Sequence, residues 1–103
     1  MKVMVQVKMD VEASNDVIRK GKLAALIESY LAEHKPEAAY FFTIDGHRGG
    51  IMIFDMTDAS QIPALAEPWF LAGNAKVEIV PVMTPQDLAN AGPAIEAAVK
   101  KYG

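Results

Sequence analysis

Residues 38–56 read AAYFFTIDGHRGGIMIFDM. Two β-favouring runs, AAYFFTI and GIMIFDM, are joined through DGHRG, a strong signal for a hairpin. Gly46 supplies the positive φ that a tight Asp-Gly turn needs, so Asp45 and Gly46 are expected to make the turn, with Arg48 at the start of the next strand. Both faces of these strands are apolar. Tyr40, Phe42 and Ile44 alternate with Phe41 and Thr43, and Ile51 and Ile53 alternate with Met52, Phe54 and Met56.

Working outward, MKVMVQVKMD alternates Val3, Val5 and Val7 with Met4, Gln6 and Lys8, which predicts a first strand with a drier valine face, not a signal peptide. After the polar stretch EASND, Leu23, Leu26, Ile27, Tyr30 and Leu31 recur at helical spacing. Gly21 weakens the first half of that helix by roughly 1 kcal/mol relative to alanine. Pro36 ends it by Lys35, leaving His34 and Lys35 where cations complement the helix dipole. Beyond the hairpin, a second helix is predicted from Ser60 as cap, with Pro63 in its first turn and Ile62, Leu65, Ala66 and Trp69 inward. Pro68 is expected to kink or end it. AKVEIVPVM, after a Gly73-Asn74 turn, is a fourth strand. TPQDLANAGPAIEAAVKKY closes the chain as a helix capped by Thr84, with Pro85 and Asp87 in its first turn and a break or bend at Gly92-Pro93.

The order β-α-β-β-α-β with an extra C-terminal helix predicts an α+β, ferredoxin-like domain over residues 1–103, with two helices on one face of a four-stranded antiparallel sheet. An antiparallel sheet covered on one face shows a polar second face when it lives alone in water. Here the second face is apolar, so a homodimer paired through sheet faces is expected. Gln6, Lys8, Thr43, Asp55 and Glu78 would interrupt that face with polar groups. Thirteen acidic against ten basic side chains give a formal net charge of −3 and no electrostatic reason for binding nucleic acid or an anionic membrane. The absence of cysteine removes disulfides, thiolate metal sites and a cysteine nucleophile. No apolar run approaches the roughly 18 residues that span a bilayer, and a soluble, cytoplasmic protein is the expectation.

The segments KPEAAYF (35–41), FDMTDASQIPALAEPWF (54–70) and PVM (81–83) resemble a small bacterial family of uncharacterised proteins within the dimeric α+β barrel superfamily. The resemblance implies two ferredoxin-like subunits packed sheet against sheet, and a relation in fold to muconolactone isomerases, antibiotic-biosynthesis-type monooxygenases and haem-degrading monooxygenases. It implies a fold more than a reaction. The haem-degrading members pair an asparagine, a tryptophan and a ligating histidine. Here Trp69 is followed by FLAGNAKVEIV without histidine and Gln6 stands where the asparagine is sought, so no haem or other cofactor is expected.

His47 and Arg48 are the candidate catalytic pair, since a histidine can move a proton while a neighbouring guanidinium holds a carboxylate or enolate. The competing reading is a solvated hairpin tip. If Arg48 serves a ligand, its head should approach a pocket mouth near Glu67 or Glu37, and its truncation should leave the melting temperature nearly unchanged. Tyr40, Phe42, Phe54, Glu67 and Trp69 are the candidate ligand-binding residues, with Trp69 equally readable as core. No metal site is expected, because His34 ends a helix far in sequence from His47. GHRGG lacks the Lys-Ser/Thr of a phosphate loop and opens a strand, and RGGIMIFD lacks the stacking aromatics of an RNA-recognition motif. The expected function is binding a small hydrophobic or aromatic acid, with its isomerisation or oxidation as the chemistry that would follow. The alternative is a non-catalytic dimerisation module.

Overall fold

The computed structural model describes residues 1–103. The elements are β1 (Lys2–Lys8), α1 (Val11–Arg19), α2 (Leu23–His34), β2 (Ala38–Ile44), β3 (His47–Asp55), α3 (Ile62–Gly73), β4 (Lys76–Pro81), α4 (Pro85–Asn90) and α5 (Gly92–Tyr102). The strands form one antiparallel sheet in the order β2-β3-β1-β4, the ferredoxin-like arrangement.

The hairpin turn has Asp45 at φ 50° and Gly46 at φ 77°. Two consecutive left-handed residues are the signature of the primed turn whose twist matches that of the flanking strands. The turn pairs Ile44 with His47, and from that pair the register runs down the ladder: Thr43 opposite Arg48, Phe41 opposite Gly50, Ala39 opposite Met52. Lys8 reaches across from β1 to Asp45 at 3.3 Å.

Val3, Val5 and Val7 lie in register with Phe54, Met52 and Gly50, and this side of the sheet carries the core. Tyr30 of α2 closes it from above. Its hydroxyl donates to the Leu65 carbonyl of α3 at 2.7 Å, and its ring packs against Trp69 at 4.7 Å and Phe54 at 6.2 Å. His34 stacks on Tyr30 at 4.6 Å, at the helix end where a cation was expected. Lys35 then takes a left-handed conformation, φ 46°, and its N–H bonds the Leu31 carbonyl.

Three local expectations are corrected. EASND belongs to a helix, α1, capped by Asp10, whose carboxylate accepts from the Ala13 N–H at 2.9 Å. Its inward positions are Ala13, Ser14 and Val17, too small and polar to produce an apolar stripe, so periodicity does not reveal it. Gly21 consequently lies in the turn between α1 and α2, not inside a helix. Second, the cap ahead of α3 is Asp58 instead of Ser60. Asp58 accepts from the Ser60 N–H at 2.8 Å while the Gln61 amide oxygen accepts from the Asp58 N–H at 3.0 Å, a capping box that opens a 3-10 turn over Ala59–Gln61. Third, of the two outcomes expected at Pro68, an end is excluded: α3 continues through it to Gly73. Burial of Leu65 and Ala66 before the proline and Trp69 after it outweighs the lost hydrogen bond.

The other sheet face carries Met4, Gln6, Lys8, Tyr40, Phe42, Ile51, Ile53, Asp55, Glu78 and Val80, and no helix covers it. Four of the five polar interruptions foreseen are there. Thr43 is not: its pairing with Arg48 puts it on the helix-covered face. No helix of the chain is long and apolar enough to cross a membrane.

Gly46→Val is expected to lower stability by about 1–2 kcal/mol, because a β-branched residue resists the left-handed region; urea unfolding measures it. A second expectation concerns acid. Hydrogen bonds from Ser60 hold the Asp58 carboxyl below its ordinary range, those from Thr84 do the same for Asp87, and the amino terminus does so for Asp55. Folded values below the unfolded ones mean that this stabilisation is complete above the unfolded value, about 4, and is lost as pH falls through the folded values. The urea midpoint should therefore hold down to about pH 5 and decline below about pH 4. Asp58→Asn with Asp87→Asn, which keeps both caps, should flatten that decline.

Candidate functional site

Between the helix-covered sheet face and α2 and α3 lies a cavity of about 340 Å³. Val7, with Met9 just beyond β1, Leu23 and Ile27 of α2, Met52 of β3 and Trp69 of α3 make its apolar wall, and Phe41, Phe42 and Thr43 border it from β2. Its floor is low at Gly50. A Cβ there would come within 2.6 Å of the Tyr40 carbonyl oxygen and 2.9 Å of Phe41 Cδ1, so the Phe41 ring occupies the space that any other residue would claim.

Arg48 is the one charged residue of the lining. Its Nη1 donates to Ser14 Oγ and to Asn15 Oδ1, each at 2.8 Å. Ser14 is wholly buried and passes its own proton to the Val11 carbonyl at 3.2 Å. Both Nη1 protons are therefore committed to α1, and the plane of the guanidinium is set. The Nε and Nη2 edge makes no hydrogen bond within the protein and is not sealed from solvent. That edge is the fork that grips a carboxylate through two parallel bonds.

Trp69 has only 2% of its surface exposed, and its Nε1–H completes no hydrogen bond of ordinary geometry. The indole nonetheless lies near enough to the Tyr30 hydroxyl to favour its ionised form, a pull in the direction opposite to burial. Burial prevails, and the Tyr30 phenol is held above its ordinary range. A loosely placed indole donor beside a phenol already committed to Leu65 leaves an incompletely satisfied polar corner at the aromatic end of the core.

His47 neighbours Arg48 in sequence but faces the other way. The alternation of β3 sends it to the uncovered side, where its Nδ1 donates to the Met9 carbonyl at 2.9 Å, leaving the lone pair of the neutral ring on Nε2. There it borders a separate polar hollow of about 150 Å³ with Lys8, Asp10 and Lys76. The candidate catalytic pair is thus divided between two cavities.

The candidate ligand residues divide as well. Trp69 borders the apolar cavity, as does Phe42 at its rim on β2, although the register puts the Phe42 side chain on the uncovered face. Tyr40, with 65% of its surface exposed, belongs to the uncovered face. Phe54 is core, edge-on to Tyr30 and His34, and Glu67 is exposed on α3 outside both cavities. Arg48 turns to α1 and not to Glu67 or Glu37, whose carboxylate pairs instead with Lys2. Nowhere do three His, Asp or Glu side chains converge as a metal site would need. Val7, Leu23, Ile27, Phe41, Thr43 and Met52 were not singled out from the sequence as site residues. Counting alternate positions back from the Asp45-Gly46 turn would have found Phe41 and Thr43, because they share the parity of Arg48 across the hairpin.

The chain belongs to the DUF3303 family, described as a domain of unknown function, whose family model matches residues 1–96. No curated protein matches the sequence.

Because Arg48 ties α1 to the sheet, Arg48→Ala is expected to lower stability by about 1–2 kcal/mol, contrary to the neutral effect anticipated from sequence. Arg48→Lys should restore only part of it, since the shorter side chain places its ammonium one bond short of where Nη1 meets both oxygens and lacks the rigid guanidinium plane. Urea midpoints of the two variants check this.

Proposed function

We propose that this member of the DUF3303 family binds a small hydrophobic or aromatic carboxylic acid in the cavity beneath the hairpin, and does so as a homodimer paired through the uncovered sheet faces. The observation that carries the reading is Arg48, its Nε/Nη2 edge unbonded within the protein, as the one charged residue of an otherwise apolar lining. A guanidinium held in place by Ser14 and Asn15 costs little further ordering when a carboxylate arrives, and apolar walls strengthen the pair by lowering the local dielectric. A cavity of about 340 Å³ lies at the small end of ligand sites, suiting one ring or a short branched chain. Binding is the activity supported. His47, the candidate base read from the sequence, borders the other cavity, so it does not pair with Arg48 on a ligand held there.

The apolar character of the uncovered face supports the pairing. Tyr40, Phe42, Ile51, Ile53 and Val80 together make a contiguous apolar surface of the kind that marks an interface. Pairing through it leaves the acid cavity, on the opposite side of the sheet, accessible in each subunit.

Thermal unfolding with benzoate, phenylacetate and branched aliphatic acids, each beside its amide, tests the binding. A fitting acid at roughly a hundred times its Kd adds about 2.7 kcal/mol and raises Tm by about 10–20 °C, whereas its amide gives a small shift. The acid-specific shift should vanish in Arg48→Met while the amide shift persists. Equal stabilisation by acid and amide, or none by any acid, would sink the reading.

A further inference from the structure

The segment Thr84–Gly103 leaves the body of the domain. Helices α4 and α5 pack substantially only on each other, and no residue of either is buried. The consequences show in the shape of the whole chain. Its radius of gyration is 17.1 Å, against about 13 Å for a compact domain of this length. The longest dimension, 58 Å, is more than twice the other two, 27 and 21 Å. Surface area agrees: the chain exposes 6923 Å², whereas a compact monomer of 11.2 kDa exposes about 5,700 Å². The excess, roughly 1,200 Å², is more than the about 800 Å² per partner that a stable interface of standard size removes from water.

The arm is also built to be covered. Ile95, Val99 and Tyr102 recur at four- and three-residue spacing along α5, each more than half exposed, and Leu88 of α4 and Met83 at the root of the arm are equally bare. At Ala91 the backbone stays right-handed, φ −82° and ψ −5°, so the arm bends there without uncoiling. Yet α5 has only eleven residues, and isolated helices shorter than about 12–15 residues are marginal in water whatever their composition. Such a helix depends on a surface against which its apolar stripe packs. Its own body does not provide one.

We infer that a second copy of this chain provides it: in a twofold dimer each α4–α5 arm lies with Ile95, Val99 and Tyr102 against the partner. Two uncovered apolar surfaces on one chain, the sheet face and the arm, are what a self-complementary pair leaves when its subunits are separated. The excess area is enough to supply one subunit's share of such an interface. This inference rests on the reading of paired copies and adds the element that clasps them.

Sedimentation of the full chain at micromolar concentration, beside Ile95→Glu/Val99→Glu and Tyr40→Glu, tests it, with circular dichroism to verify that each variant keeps its sheet. The wild type should sediment as a dimer, and the arm variant should dissociate at least a hundredfold more readily. A dimer that survives the arm substitutions but falls apart in Tyr40→Glu would overturn the arm's role and keep the sheet pairing. The reverse pattern would keep the arm and remove the sheet pairing, and dissociation in both supports the two together. A wild-type monomer overturns the inference, whether small-angle scattering finds it extended or finds a radius near 13 Å, the value for an arm folded onto its own body.

Discussion

Two left-handed residues, Asp45 and Gly46, set the register on which the rest of the structure depends. Strand side chains alternate with a period of two, so a slip of one position in the hairpin would carry every residue of β2 to the opposite face. With the turn at Asp45-Gly46, Met52 and Phe54 join the valines of β1 in the core, and Tyr40 and Phe42 go to the uncovered side. The same parity delivers Arg48 to the helix-covered face and His47 away from it. A conformational preference of one glycine thereby decides which charged group meets the apolar cavity.

Arg48 then performs two tasks with one side chain. Its Nη1 fastens α1, a helix whose inward face offers a buried serine in place of large apolar groups and so gains little from hydrophobic burial. Charge-assisted hydrogen bonds supply part of what that face lacks. The remaining edge of the guanidinium is held in a fixed plane as a by-product of the fastening. Structural constraint and readiness for an anionic ligand therefore arise from the same contacts, and substitutions at Ser14 or Asn15 alter both at once.

The distribution of apolar surface organises the molecule on a larger scale. One sheet face is closed by α2 and α3 through the Tyr30, Phe54 and Trp69 cluster, with Tyr30 linking the two helices by its bond to Leu65. The other face and the C-terminal arm remain uncovered in the single chain. Polar residues on that face, Gln6 opposite Glu78 and Lys8 opposite Lys76, sit near β4, and with His47 and Asp55 at the two ends of β3 they leave the middle of the β2–β3 half apolar. Surface of this kind is costly in water and is retained where something covers it.

Much of this architecture is legible in the sequence, and what is not has a physical cause. The Asp-Gly turn, the valine alternation of β1, the apolar stripe of α2 and the Thr84-Pro85-Asp87 cap are local signals, each written within a few residues, and each yields its element. Helix α1 is not legible because its inward face is small and polar and part of what stabilises it, Arg48 reaching Ser14 and Asn15, lies more than thirty positions away. Pro68 stays within α3 because the burial of Leu65 and Trp69 outweighs a local preference. For the site, the importance of Arg48 and Trp69 could be read from residue type, and the faces of Tyr40, Phe42 and Thr43 could have been read from the parity of the turn. That Arg48 is anchored to α1, that His47 opens into another cavity and that α5 projects from the body depend on distances between elements. Such distances belong to tertiary structure, because hydrogen-bond partners and uncovered surfaces exist only once remote segments have been brought together.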